Sequence, residues 1–150
     1  MSFLNVDPFN PLHKTPVPWS EPETGVVAVI AGKRCLVLDD EFIIALDIQQ
    51  ILEQAGATSV VCAGNGADAL AAIERGPRFD LAILDVKLSE PGECLKVANA
   101  LAEQGTPFIF LTGLRGEAEH TRRFPRAPIV DKPFQTPALL AAVQKLPDRC

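Results

Sequence analysis

The chain has 150 residues, with 14 lysines and arginines against 19 aspartates and glutamates, and a net charge of −5. This length accommodates one domain with a hydrophobic core, and the acidic balance argues against non-specific nucleic-acid binding, which needs a basic face. No run approaches the roughly 18 to 20 apolar residues of a membrane helix, and the N-terminus lacks the pattern of a secretory signal. We therefore expect a cytoplasmic protein with neither nucleic acid nor membrane as a partner.

Residues 1–32 differ in composition from the rest of the chain. They hold five of the thirteen prolines, and proline at this density blocks helix and sheet hydrogen bonds, so most of this segment should be extended. One interpretation is a disordered leader or interdomain linker. The alternative is an arm that docks on the body or on a second copy, because disordered tails seldom carry many large apolar groups. Those groups are Phe3, Leu4, Phe9 and Trp19.

A regular alternation of strands and helices begins at Lys33, and we place the main domain at 33–150. The predicted strands are short apolar runs, at 33–39, 58–63, 79–84, 107–111 and 129–131. The first three predicted helices occupy 41–55 with Gly56 as the stop, 65–75 capped by Asn65, and the stretch of Cys94–Leu101 closed by Gly105. A short helix near 117–123 and a last helix, capped by Thr136 and starting at Pro137, complete the pattern.

Buried strands alternating with helices predict an α/β fold, a doubly wound five-stranded parallel sheet with flanking helices. Such a sheet binds its ligand outside the carboxyl ends of its strands. The four cysteines show no metal-ligand spacing, and Cys35 and Cys62 lie in apolar runs, which predicts small buried groups and reduced thiols.

Chemically active residues follow four of the strands. Asp39-Asp40-Glu41 ends the first strand, Asp85 the third, Thr112 the fourth and Lys132-Pro133 the fifth. Asp85 is the strongest single signal, because a lone carboxylate after a fully apolar strand would carry an unpaired charge. Carboxylate oxygens are also the ligands that Mg²⁺ prefers. The combination, in order and on alternating strands, predicts a phosphate and divalent-metal site.

With these motifs, residues 33–147 resemble the receiver domain of two-component response regulators, which has a flavodoxin-like fold. The resemblance implies that Asp85 accepts a phosphoryl group from a phosphohistidine on a histidine kinase or phosphotransfer protein. Lys132 would pair with the phosphoryl oxygens and Thr112 would hydrogen-bond one of them. The protein would then be a signalling receiver, which catalyses only its own phosphorylation and slow dephosphorylation, and its output would be protein–protein interaction.

The resemblance also implies a Mg²⁺ site. Asp40 and Asp85 would bind the ion directly, the backbone carbonyl of Lys87 would be a third protein ligand, and Asp39 would act mainly through water.

Three positions depart from the usual receiver pattern. Ile129 stands where an aromatic switch residue is usual. The segment 110–115 is a variant of the Phe-Ala-Thr-Gly-apolar-Tyr signature of an alphaproteobacterial receiver subfamily, with leucine for alanine and arginine for tyrosine. Lys87 stands two residues after the acceptor, where its ammonium would either reach the phosphoryl group or point into solvent.

Several alternatives stay open at this stage. The chain is either a stand-alone regulator, which would signal by binding proteins or act as a phosphate sink, or the receiver end of a hybrid histidine kinase. Dimerisation through the N-terminal arm or the 113–147 face is compatible with both. A more distant alternative is a phosphohydrolase of the haloacid dehalogenase type, although Lys87 stands where that signature needs a second aspartate.

Overall fold

The computed structural model describes residues 30–88, 92–113 and 118–147. Most of the predicted arm and its four large apolar groups lie outside these residues, as do residues 114 and 115 of the variant signature and the C-terminal Cys150. The division between arm and domain at position 33 therefore stays a prediction.

Five parallel strands form one sheet, in the order β2-β1-β3-β4-β5. They are β1 (Arg34–Leu38), β2 (Ser59–Ala63), β3 (Leu81–Asp85), β4 (Phe108–Thr112) and β5 (Ile129–Asp131). The helices between and after them are α1 (Phe42–Gln54), α2 (Gly66–Arg75), α3 (Glu93–Glu103), α4 (Ala118–Arg123) and α5 (Thr136–Gln144). The predicted doubly wound α/β architecture is confirmed, and the bounds of its elements differ from the predicted ones by at most two residues.

Each face of the sheet buries its own hydrophobic core, because successive side chains of a strand point to opposite faces. Val37, Ile83 and Ile109 pack against α1 and α5, whereas Leu36, Leu84 and Phe110 pack against α2 and α3. Every residue of β3 and β4 is buried, since both strands have neighbours on each side and helices on both faces. The residues at the ends of these two strands, Asp85 and Thr112, are therefore buried.

Two predicted helix boundaries are confirmed in detail. The Asn65 side chain accepts a hydrogen bond from the Asp68 amide at 2.8 Å, which caps α2. Gly56 follows α1 with a φ of 107°, a left-handed conformation that glycine adopts without strain. At α5 the prediction was wrong by one residue: Gln135 is the N-cap and Thr136 is already helical. Proline then occupies the second helical position, which also needs no amide donor.

The prediction of a buried Cys62 was wrong. Cys62 is exposed, because β2 is an edge strand, and its Sγ lies 3.5 Å from Gln49 Oε1. Cys35 is buried as expected, Cys94 is buried as well, and all three of these described cysteines are free thiols. No helix in the described ranges is both long and apolar enough to cross a membrane.

A hydrogen bond joins the first residues of α2 and α3. Glu93, the first residue of α3, accepts a hydrogen bond from the Gly66 amide at 2.9 Å through its Oε1 atom. A Cβ atom at position 66 would lie 2.9 Å from Glu93 Cδ, so glycine is needed for this close approach. The start of α3 is therefore tied to the start of α2.

Candidate functional site

The carboxyl ends of the strands bring the predicted site residues to one edge of the sheet. Asp39 directly follows β1, Asp85 ends β3, and Thr112 ends β4. Thr112 stands beside Asp131 in the parallel register of β4 and β5, so Lys132 follows at the same edge. Residues that are distant in the sequence thereby converge.

Three carboxylates form the centre of the site. One oxygen from each of Asp39, Asp40 and Asp85 lies within 4.8 Å of the other two. Asp39 and Asp85 are buried, whereas Asp40 is exposed. Hydrogen bonds orient the two buried groups: Asp39 Oδ1 accepts from the Glu41 amide at 2.8 Å, and Asp85 Oδ1 from the Lys87 amide at 3.1 Å. A cluster of hard oxygen donors with one solvent-facing member fits a divalent cation such as Mg²⁺.

Lys132 is the cation of the site. Its Nζ lies 3.1 Å from Asp39 Oδ2, 3.3 Å from Asp85 Oδ2 and 3.4 Å from Glu41 Oε1. One ammonium thus faces three carboxylates, and Asp40 adds a fourth negative charge nearby. The site as a whole is an anionic pocket that a further cation would neutralise.

The electrostatic environment of Asp85 shifts its acidity. Burial raises the pKa of the Asp85 carboxyl from 3.8 to about 6, and the neighbouring Asp39 charge adds to the rise. The Lys87 amide and Lys132 act in the opposite direction. For Lys132, burial lowers the pKa, but the charges of Asp39 and Asp85 outweigh it, so the pKa is raised. Asp85 is thus ionised at neutral pH and Lys132 is protonated.

These shifts predict a pH dependence of stability in the metal-free protein. Between pH 3.8 and about 6, folded Asp85 holds a proton that the unfolded chain has released, so its contribution to the free energy of unfolding falls as pH rises through this window. Above this pH window, the ionised Asp85 lowers the free energy of unfolding by on the order of 1 to 3 kcal/mol. Lys132 adds no pH dependence in this range, because it is protonated in both the folded and the unfolded state.

The measurement is the difference in the free energy of unfolding between the wild type and Asp85→Asn in EDTA, followed by denaturant titration at several pH values. Asp85→Asn should become the more stable protein as pH rises to 7. Parallel stability curves for the two proteins would contradict the raised pKa.

Thr112 makes a contact that the sequence did not predict. Its Oγ1 donates a hydrogen bond to Asp131 Oδ1 at 2.9 Å. Thr112 is buried, whereas Asp131 is exposed. The backbone supports the pair, since the Lys132 amide donates to the Thr112 carbonyl at 2.7 Å.

The first turns of α1 expose large apolar side chains beside the acidic cluster. Phe42 and Ile43 are 76% and 79% exposed, and Leu46 lies one turn further along the helix, also exposed. Side chains at positions 42 and 46 share one helix face. Phe42, Ile43 and Leu46 thus form an exposed apolar surface beside the pocket, the apolar rim, which is not part of the hydrophobic core.

The structure brings together most of the predicted site residues. Asp39, Asp40, Asp85 and Lys132 form the cluster, and Thr112 lies on the strand next to Asp85. The Lys87 side chain is exposed and its amide contacts Asp85, while a metal-ligand role for its carbonyl stays a prediction. The contacts of Glu41 and Asp131 were missed. The predicted parallel pairing of the last two strands could have placed Asp131 beside Thr112.

Comparisons with known proteins agree with this architecture. Residues 35–144 match the family model of the response regulator receiver domain. No curated protein matches the chain.

Among solved structures, the BeF3-activated conformation of SdrG from Pseudomonas melonis is 35% identical, with 77% of this chain and 96% of that chain covered and a TM-score of 0.64. A response regulator receiver protein from Sinorhizobium medicae is 27% identical, with 76% and 93% covered and a TM-score of 0.68. The response regulator PhyR from Brucella abortus has the same fold, with 24% identity and a TM-score of 0.63. The match covers 81% of this chain and 50% of PhyR, so this chain spans about half of the length of PhyR.

The family match spans well over half of the chain and includes the acidic cluster and every strand except the first residue of β1. It confirms the fold and the resemblance that the strand-end motifs indicated. The chain belongs to the response regulator receiver domain family.

Proposed function

We propose that the protein is a phosphoacceptor receiver in which Asp85 takes a phosphoryl group from a phosphohistidine of a histidine kinase or phosphotransfer protein. The observation that carries this proposal is the placement of Asp85, a buried carboxylate whose Oδ2 lies 3.3 Å from the Lys132 ammonium within an acidic cluster. A carboxylate oxygen of Asp85 attacks phosphorus, the P–N bond breaks, and the imidazole nitrogen leaves with the electron pair. The product is an acyl phosphate on Asp85.

The remaining side chains position and neutralise the transferred group. Phosphoryl transfer needs charge stabilisation and alignment more than covalent assistance from the protein. Lys132 would move from the carboxylates to the phosphoryl oxygens, and the Thr112 hydroxyl would donate a hydrogen bond to one of them. Mg²⁺, held by Asp40 and Asp85 with Asp39 acting through water and the Lys87 carbonyl as a further ligand, would supply charge neutralisation when bound.

The direct test is incubation with acetyl phosphate and Mg²⁺, read by intact-protein mass spectrometry and by NMR. One added phosphoryl group, with shifts around Asp85, Thr112 and Lys132, would support the proposal. Beryllofluoride provides a second probe, because SdrG has been captured in a BeF3-activated conformation. Absence of both labelling and beryllofluoride shifts would overturn the proposal.

The output would be an altered surface that partner proteins recognise. Phosphorylation adds charge and acceptor oxygens at Asp85, which favours rearrangement of the loop after β4. A stand-alone regulator, a phosphate sink and a hybrid-kinase receiver all fit this chemistry. Gel filtration with and without beryllofluoride tests dimerisation through the arm or the 113–147 face. A dehalogenase-type phosphohydrolase is disfavoured, because Lys87 supplies no second acid.

The apolar rim on α1 predicts where the phosphodonor protein docks. Replacing both Phe42 and Ile43 with alanine should slow transfer from a phosphohistidine protein roughly tenfold or more, as for the loss of central apolar anchors from an interface. Labelling by acetyl phosphate should change little, because this small donor needs no docking surface. The two rates are measured side by side with the wild type.

The matched control replaces Gln50 and Gln54, which are exposed on the same helix, with alanine. This control should transfer at the wild-type rate. Equal slowing with both donors would instead indicate damage to the pocket, and an unchanged protein-donor rate would remove α1 from the docking surface.

A further inference from the structure

The hydroxyl of Thr112 lies at the end of β4, and its acceptor is the carboxylate of Asp131 on β5. Thr112 and Asp131 are direct neighbours in the parallel register, and Thr112 Oγ1 donates to Asp131 Oδ1 at 2.9 Å. We propose that Asp131 is a positioning residue that holds the Thr112 hydroxyl in the unphosphorylated protein and thereby weakens its pocket for a phosphoryl group. This inference rests on the proposed function and adds a resting-state latch to it.

The competition follows from the chemistry of the hydroxyl. A threonine hydroxyl has one proton to donate. While Asp131 accepts that proton, no phosphoryl oxygen can. Carboxylates are strong acceptors, since a hydrogen bond with an ionised partner is about twice as strong as a neutral one. A phosphoryl group on Asp85 must therefore displace Asp131 before it gains the Thr112 hydrogen bond.

The exposure of Asp131 makes the latch reversible. An exposed carboxylate that loses the Thr112 bond regains water at once, whereas a buried one would be left unsatisfied. The fold therefore does not need this bond to satisfy Asp131. Thr112 is buried, so its hydroxyl donates to Asp131 in the unphosphorylated protein and would donate to a phosphoryl oxygen on Asp85 after phosphorylation.

The neighbouring strand position supports a role for Asp131 in switching. Ile129, two residues earlier on β5, is 41% exposed and aliphatic, and it has no hydroxyl or ring through which Thr112 could be coupled. Asp131 is the side chain of β5 that contacts Thr112. Movement of Thr112 toward the phosphoryl group would break this contact and free the carboxylate at the protein surface.

The test is the affinity for beryllofluoride with Mg²⁺, measured by NMR titration of the full chain. Asp131→Ala should bind roughly three- to tenfold more tightly than the wild type, the range that corresponds to one hydrogen bond no longer broken. Asp131→Asn keeps an acceptor oxygen but loses the charge that strengthens the bond, so it should tighten binding only about two- to threefold, less than Asp131→Ala. Thermal unfolding shows that each variant is folded.

A second background separates the hydrogen bond from simple charge repulsion. In Thr112→Val, which lacks the hydroxyl, adding Asp131→Ala should change the affinity no further. Equal tightening in Asp131→Ala and Asp131→Asn, or tightening that persists in Thr112→Val, would overturn the latch. So would an unchanged affinity in Asp131→Ala.

Failure of the proposed function has a different signature. A wild-type protein that neither binds beryllofluoride nor is labelled by acetyl phosphate contradicts the phosphoacceptor function, and with it this inference. A wild-type protein that binds, with no effect at Asp131, contradicts the latch alone. In the free protein, loss of a slowly exchanging Thr112 hydroxyl proton in Asp131→Ala gives an independent reading of the contact.

Discussion

Asp85→Asn is expected to incorporate no phosphoryl group from acetyl phosphate or from a phosphohistidine protein. The carboxamide lacks the negative charge of the nucleophile, and the other buried carboxylate, Asp39, is oriented by the Glu41 amide and bound to Lys132. The fold should persist, because an uncharged side chain in this pocket removes repulsion from Asp39. Intact-protein mass spectrometry measures incorporation, and circular dichroism measures the fold.

The matched control is Asp47→Asn, which makes the same chemical change at an exposed position of α1. This variant should be phosphorylated at the wild-type rate. Undiminished labelling of Asp85→Asn would remove Asp85 from the acceptor role. Labelling that persists only at another acid would show that a neighbouring carboxylate can substitute.

Lys132→Ala is expected to slow phosphorylation by acetyl phosphate roughly 100-fold, the scale of losing one charge-stabilising group at a reaction centre. The ammonium lies 3.1 to 3.4 Å from three carboxylates, and its loss leaves their repulsion uncompensated. The same variant should also change the pKa of Asp85 and the affinity of the pocket for Mg²⁺. The pKa of Asp85 should rise further, while Mg²⁺ should bind more tightly, because no ammonium competes for the same oxygens.

Single-turnover labelling measures the rate of phosphorylation, and isothermal titration measures the affinity for Mg²⁺. Lys96→Ala, at an exposed position of α3, is the control and should match the wild type in both. A rate unchanged by Lys132→Ala would contradict a role for Lys132 in the transfer. Weaker Mg²⁺ binding would contradict the competition between the two cations.

The sequence predicted the fold and the acidic cluster because both depend on simple periodicity. Short apolar strands that alternate with amphipathic helices predict a parallel sheet. In such a sheet, the residues at the carboxyl ends of the strands lie at one edge. Asp39 and Asp85 directly follow apolar runs, and Lys132 directly follows the last predicted strand, so the parallel sheet was enough to predict that they converge. Asn65 and Gly56 were predicted correctly for a similar reason, since caps depend on local backbone chemistry.

The contacts that the sequence missed depend on side-chain geometry across neighbouring elements. The sequence does not determine which acceptor the Thr112 hydroxyl meets, because the contact with Asp131 depends on the rotamers of both side chains. Cys62 was predicted to be buried because its run is apolar, but composition does not identify an edge strand. The exposed Phe42 and Ile43 resemble core residues in a helical pattern, and only the packing of α1 shows that they face outward.

The assembly of the pocket from separate strand ends has a consequence for biosynthesis. Lys132 and Glu41 are in contact although 91 residues separate them in the sequence. A nascent chain that has left the ribosome only as far as β4 has its acidic residues but not the lysine that neutralises them. Such contacts between distant segments form late, because loop closure must precede them. The pocket is therefore complete only after the last strand has joined the sheet.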